Sequence, residues 1–307
     1  MPSDEAPPAR CHRPARELRR SRRSRRTQGP ARPCPCATRR SGLSDEIGGG
    51  LGQAGGRALV IGPQLQRLVE RTHRSAAIAD LERHGHKFSA LLLDSIFSSD
   101  GIYVDPSVLG PAVEVVHRAG GVFIADEVQP GFSRTGEAMW GFQRHGVVPD
   151  LVTMGKPMGN GIPVAAMAAR PEILDTFARE TPYFNTFGGN PVSMAAAQAV
   201  LDVIQGDGLA EHARTVGNQM RAELGALAKD YPFLGDIRGT GLYTGVEIVT
   251  DPDSKQHDGE RAQRLVDLMR ENRVLISVCG GRGNILKVRP PLVFSMSDLD
   301  WFMTVLD

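Results

Sequence analysis

Leu151-Val-Thr-Met-Gly-Lys156-Pro-Met-Gly-Asn-Gly161 places one lysine where an apolar run breaks into a glycine-rich turn. Upstream, Gly121-Val-Phe-Ile-Ala125 is a second apolar run, ending in Asp126-Glu127-Val128-Gln129. Downstream lies Asn185-Thr186-Phe187-Gly188-Gly189-Asn190-Pro191. Short apolar runs bounded by turn residues read as buried strands. A lysine at a strand end is an amine that can lose solvent, have its pKa lowered and attack a carbonyl. An acid at the end of a neighbouring strand can hold a protonated pyridine nitrogen, and a threonine before glycines can bind a phosphate.

The same alternation extends in both directions. Leu65 to Gly85 has a helical pattern, Ala90-Leu-Leu-Leu-Asp94 reads as a buried strand, and Pro111 to Ala119 as a helix stopped by Gly120-Gly121. Strands alternating with helices predict an α/β fold with a mostly parallel sheet, whose ligand groups lie at the carboxyl ends of the strands. Asp126 and Lys156 both fall at such ends. Val192 to Ile204 begins a long helix that leads out of this region. Beyond Gly206 the character changes: Leu209–Ala228 is helical and Gly235–Val249 alternates like antiparallel strands. Arg261–Asn272 is a further helix, Val274–Val278 and Ile285–Val288 are short strands, and Ser297–Leu306 closes with a helix. This predicts a small α+β domain. The expected division is therefore 1–56 as a disordered leader, 57–205 as a partial large domain and 206–307 as a C-terminal small domain.

The near-neutral total of +1 over 307 residues conceals an asymmetry. Residues 1–40 hold twelve arginines against Asp4, Glu5 and Glu17, a local net charge of +9. The remainder, 24 basic and 32 acidic residues, carries −8. The leader lacks the apolar residues needed for a core, and the Gly48–Gly56 run reads as linker. The arginine run 19–26 has an electrostatic reading as a nucleic-acid contact. Against it stands a mis-assigned start or shifted reading frame, since the globular pattern begins abruptly, and nucleic-acid binding is disfavoured. No apolar stretch approaches a membrane span of about 20 residues, and no secretory signal is evident. Four cysteines, with Cys34-Pro-Cys36 one residue apart, form neither a disulfide framework nor a zinc site. No metal is expected, and the default compartment is reducing and cytoplasmic.

The sequence blocks Ala125-Asp-Glu-Val-Gln-Pro-Gly-Phe-Ser-Arg-Thr-Gly136, Trp140-Gly-Phe142, Pro149-Asp150, Gly155-Lys-Pro-Met-Gly-Asn-Gly161 and Asn185-Thr-Phe-Gly-Gly-Asn-Pro191 resemble the class-III aminotransferases of fold type I. The likeness runs from about Ile78 to the C-terminus. It implies an incomplete fold-type-I large domain followed by the family's small domain, with pyridoxal 5′-phosphate (PLP) as cofactor. The resemblance further implies that Lys156 forms the internal aldimine and later moves a proton, and that Asp126 pairs with the pyridine nitrogen. Val128 is implied against the ring face, Gln129 at the phenolic oxygen, and Thr186 at the phosphate across a homodimer interface. A small-molecule amino donor and a keto acid or aldehyde acceptor are the implied partners.

Alternatives accompany each of these. Lys156 could be a turn lysine, Asp126 a helix-capping aspartate, Thr186 a turn threonine; Glu127 could orient neighbouring groups. At the substrate end, many family members place an arginine where Lys287 stands in Asn284-Ile-Leu-Lys287-Val-Arg289-Pro-Pro-Leu292. Lysine is a point charge suited to phosphate, whereas arginine holds a carboxylate in two hydrogen bonds. This wording resembles the sub-branch that includes ethanolamine-phosphate phospho-lyase. Arg289 could swing in to bind a carboxylate, and Lys287 could be only a strand-edge charge. The family's Ser-Gly-rich phosphate loop and ring-stacking aromatic are not found before Asp94. An N-terminally truncated chain with weak PLP binding and little turnover alone is therefore expected. The competing readings are a phospho-lyase on an amino-alcohol phosphate and an inactive fragment or dimerisation module.

Overall fold

The structure, a computed structural model, describes residues 51–54, 57–61 and 71–307. The arginine run, three of the four cysteines and the start of the helix expected from Leu65 lie outside the described residues. Six strands form the first sheet in the order β1 (Leu51–Ala54), β2 (Arg57–Ile61), β3 (Lys87–Asp94), β4 (Val122–Asp126), β5 (Leu151–Met154) and β6 (Ala166–Ala169). The four central strands run parallel, and β1 and β6 pair antiparallel at the two edges. Strand β1 corrects the linker reading at Leu51–Ala54 only: β2, itself paired with β3, offers an edge that these four residues take up, and the rest of the 48–56 run lies outside the described residues.

Helix α1 (Arg71–Arg83) precedes β3, and α2 (Leu109–Arg118) crosses from β3 to β4. The inner face of α2 carries Leu109, Ala112, Val113 and Val116, spaced for one helical stripe. They pack with Phe88, Leu91, Leu93 and Phe123 of the strands into one apolar cluster. Asp150 ties the far end together. Its Oδ2 accepts from the Phe123 backbone N–H at 2.7 Å and lies 2.8 Å from His117 Nε2, and Arg170 Nε stands 3.0 Å from its Oδ1.

Helix α3 (Pro171–Glu180) is amphipathic yet buries no residue. Helix α4 (Pro191–Gly206) opens on Asn190, whose side chain accepts from Ser193 N–H at 3.0 Å, with Pro191 pre-set for the first turn. Helix α5 (Leu209–Leu227) buries Ala213, Val216, Met220 and Leu224 against a second sheet, while Leu209 packs with Phe132 and Ile204. That sheet is antiparallel, ordered β7 (Leu234–Thr240), β8 (Tyr243–Ile248), β10 (Ile285–Val288), β9 (Ser277–Cys279). Helices α6 (Gly259–Glu271) and α7 (Met296–Leu306) complete it. Ser295 caps α7 reciprocally: its Oγ accepts from Asp298 N–H at 3.2 Å, and Asp298 Oδ2 accepts from Ser295 N–H at 2.8 Å.

Backbone contact fastens the β7–β8 turn to the loop after β4. A Cβ on Gly217 of α5 would meet the Gly241 carbonyl oxygen at 1.8 Å, and one on Gly241 would meet the Arg134 carbonyl oxygen at 2.3 Å. Glycine at both positions lets helix, turn and loop stack without side chains between them. Among the described residues no helix is long and apolar enough to cross a membrane, and no group of three or more His, Cys, Asp or Glu could hold a metal ion.

Candidate active site

Three strand ends converge. In the register of the parallel ladder Asp94 lies beside Asp126, and Asp126 beside Thr153, two residues before the Gly155–Lys156 break. Lys156 is exposed and starts a short 3-10 turn, Lys156–Gly159, with φ of +33°. A non-glycine residue in the left-handed region is strained, and more so before proline. The turn is held from behind by Gly159, where a Cβ would come within 2.8 Å of Val164 Cγ1.

Asp126 is half-buried, and its Oδ1 accepts from Val128 N–H at 3.1 Å. No described residue donates to its Oδ2. A helix-capping role is not what the structure displays, because an irregular loop follows the strand instead of a helix. Asp94 is fully employed: its oxygens accept from Ile96 N–H at 2.9 Å, Ser98 N–H at 2.9 Å and the Ser98 hydroxyl. Burial still pushes its carboxyl above the usual range, with Asp126 adding repulsion. Glu127, completely buried, accepts from Gly141 N–H at 2.7 Å, Phe142 N–H at 2.9 Å and Ser95 Oγ at 3.2 Å. It orients the loop around the site rather than facing it, and burial raises its pKa to about 7.

The second sheet brings its own groups to the same place. Tyr243 of β8 is wholly buried, and its hydroxyl stands 3.0 Å from Gln129 Oε1. Arg289, just past β10, donates through Nη1 to the same oxygen at 2.6 Å. Lys287 of β10 holds its ammonium 5.6 Å from the Tyr243 ring centroid. Desolvation depresses the Lys287 pKa; Arg289 and Lys156 push the same way, while Cys279 and Asp94 oppose. Strand register, hydrogen bonds and charge interactions thus place Asp126, Val128, Gln129, Lys156, Lys287 and Arg289 in one neighbourhood. Thr186 is different: it sits in the exposed loop before α4, where Asn185 Oδ1 accepts from Phe187 and Gly188 N–H, and among the described residues no hydrogen bond joins it to Lys156 or Asp126.

Tyr243 and Asp94 escaped the sequence reading. Asp94 carries the same signal as Asp126, an acid closing a buried strand. Tyr243 carries none, since its partner is 114 residues away in the chain.

Residues 62–307 match the family described as aminotransferase class-III. The chain belongs to the class-III aminotransferase family. It is 43% identical over 224 residues to alanine–glyoxylate aminotransferase 2 homolog 2, mitochondrial, of Arabidopsis thaliana, covering 73% of this chain and 46% of that protein. It is 38% identical to ethanolamine-phosphate phospho-lyase homolog 1 of Caenorhabditis elegans, over 74% of this chain and 50% of the relative. Among solved structures, an Arthrobacter phospholyase in complex with phosphoethanolamine superposes with a TM-score of 0.74 at 43% identity, covering 77% of this chain and 56% of that one. A Bacillus anthracis aminotransferase gives 0.69 at 29% identity, over 76% and 55%. The mixed sheet is that of the fold-type-I transferases, and the family implies PLP as cofactor. The chain spans about half the length of the curated relatives it matches.

Proposed function

We propose that this chain carries the reactive half of a PLP-dependent aminotransferase site, with Lys156 as the covalent attachment point. The observation that carries the reading is the pairing of an acid and a lysine at the carboxyl ends of hydrogen-bonded parallel strands: Asp126 closes β4 and Lys156 follows β5. The residues present fit the ring end of the cofactor. Asp126 has an oxygen without a donor, and Gln129 has an amide nitrogen without an acceptor among the described residues. When bound, PLP supplies an aldehyde and a ring that takes up the electrons of a substrate C–H bond. Asp126 Oδ2 would keep the ring nitrogen protonated. Val128, fixed through its N–H to Asp126, would lie against a ring face, and Gln129 would reach the phenolic oxygen. Lys156 Nζ would supply the amine that holds the cofactor and the base that moves a proton at the substrate carbon.

Thr186 is proposed to reach a phosphate across a homodimer. What supports this is its exposed loop and the apolar surface around it, with Ile162, Met167, Phe177, Phe184, Phe187 and Val192 all exposed. The division near residue 205 into large and small domains is supported by the separate apolar clusters of the two sheets. The cysteine usage underlies our assignment to the cytoplasm, which fractionation tests against the mitochondrial names of two relatives.

A second reading, phosphate elimination from an amino-alcohol phosphate, is favoured by Lys287, a half-buried point charge in that neighbourhood, and by the phospho-lyase names of two similar proteins. The test is a panel of amino donors with keto acids, run beside phosphoethanolamine. Amine transfer that needs a keto acid and releases no phosphate supports the first reading; phosphate release supports the second. Lys156→Ala lowers either activity about 100-fold or more. If neither activity nor a PLP absorbance band near 420 nm appears, the reading of an inactive fragment or dimerisation module is favoured.

A further inference from the structure

Gln129 has two donors converging on one oxygen. Arg289 Nη1 lies 2.6 Å and the Tyr243 hydroxyl 3.0 Å from Oε1. A guanidinium has only donors, so the atom facing it is the carbonyl oxygen of the amide and not its nitrogen. The Tyr243 hydroxyl has one hydrogen and a second acceptor, the Ser98 carbonyl oxygen, at 3.4 Å; the Gln129 oxygen is nearer. The Tyr243 ring is wholly buried and packs with Ile96 and Ile102 in one apolar cluster, so the hydroxyl is delivered from a fixed base. Burial raises the phenol pKa, which keeps it a donor. With the oxygen committed twice, the Gln129 nitrogen is the end that no described residue uses.

We propose that Tyr243 and Arg289 are positioning residues that clamp the Gln129 carbonyl oxygen, so that its N–H donors are the group left to face the cofactor. The clamp rests on the reading of Gln129 as the contact to the phenolic oxygen. Without it a glutamine could present either end of its amide, and an inward oxygen would meet a phenolate with repulsion. The arrangement also has a consequence for substrate binding: Arg289 is engaged with Gln129, so an anionic substrate would meet Lys287, whose ammonium rests over the Tyr243 ring, before it meets Arg289.

The test has two parts. In the ligand-free chain labelled with nitrogen-15, the Gln129 side-chain amide pair is identified by its loss in Gln129→Glu. It should be well dispersed and rigid in the unaltered chain and become mobile in Tyr243→Phe. Calorimetric titration then uses pyridoxamine 5′-phosphate, which has the ring hydroxyl but no aldehyde to bond Lys156. Its 3-deoxy analogue serves as the control. Tyr243→Phe and Gln129→Glu should each weaken the hydroxylated ligand about 5-fold and leave the 3-deoxy ligand unchanged. Gln129→Glu keeps an acceptor for both donors, so it retains the fold if Tyr243→Phe does not. An amide already mobile in the unaltered chain, or equal weakening of both ligands, overturns the clamp. If the unaltered chain binds neither ligand, the cofactor reading fails and the amide signal alone decides the clamp.

Discussion

Replacing Glu127 by glutamine should change the sign of a stability difference with pH. The carboxylate lies wholly inside the protein, and burial raises its pKa from 4.5 to about 7 despite three donors. Because the folded value exceeds the unfolded one, the unfolded chain gives up the proton first as pH rises. The stability associated with the protonated group is complete below about 4.5 and is lost as pH passes through about 7. The interval corresponds to about 3 kcal/mol, or roughly 4–6 °C in melting temperature for a chain this long. Glutamine does not titrate, but its NH2 would face a donor, either Gly141 N–H or the Phe142 N–H and Ser95 hydroxyl pair. One lost bond with an unsatisfied buried donor costs about 1–3 kcal/mol. Glu127→Gln should therefore melt below the parent at pH 5 and match or exceed it at pH 8. Melting curves taken every half unit between those limits read the difference directly. Asp100, raised to about 7 mainly by burial, adds a slope of the same sign to both chains and cancels in the comparison. Parallel curves with a constant gap would refute the reasoning.

Gly217→Ala should destabilise by about 3 kcal/mol or more, because the new methyl would enter the Gly241 carbonyl and backbone cannot step aside as a side chain can; thermal melts of the purified variant check this. Ser295→Ala removes the reciprocal cap of α7 and should cost about 1 kcal/mol, read as a lower urea midpoint with unchanged slope. Lys287, with its pKa depressed by desolvation, should be acetylated faster at pH 8 than exposed lysines such as Lys229 or Lys255, as quantitative peptide mapping will report. A Lys287 that reacts no faster than these would contradict the depression of its pKa.

How much of this was legible in the chain depends on distance along it. Leu151–Met154 and Ile285–Val288 were read with their observed boundaries, since each is a short apolar run closed by turn residues. Val274–Val278 was read as strand, but pairing with β10 covers Ser277–Cys279, so the reading overlaps β9 only at Ser277 and Val278. Ala166–Ala169 gave no signal, because Ala-Met-Ala-Ala has little strand preference and is extended by its pairing with β5. The amphipathic α3 also passed unread. At the site, Asp126 and Lys156 were visible because a strand end is a local property. The Gln129–Arg289 contact closes across 160 residues and the clamp it forms with Tyr243 has no local trace.

The account turns on which amine takes the cofactor. Two lysines stand in the site's neighbourhood, Lys156 after β5 and the half-buried Lys287 on β10. Incubation with PLP, reduction with borohydride and peptide mass mapping separate them. A pyridoxyl group on the peptide holding Lys156, and lost in Lys156→Ala, is the result expected. A label on Lys287, or none on either, would contradict it.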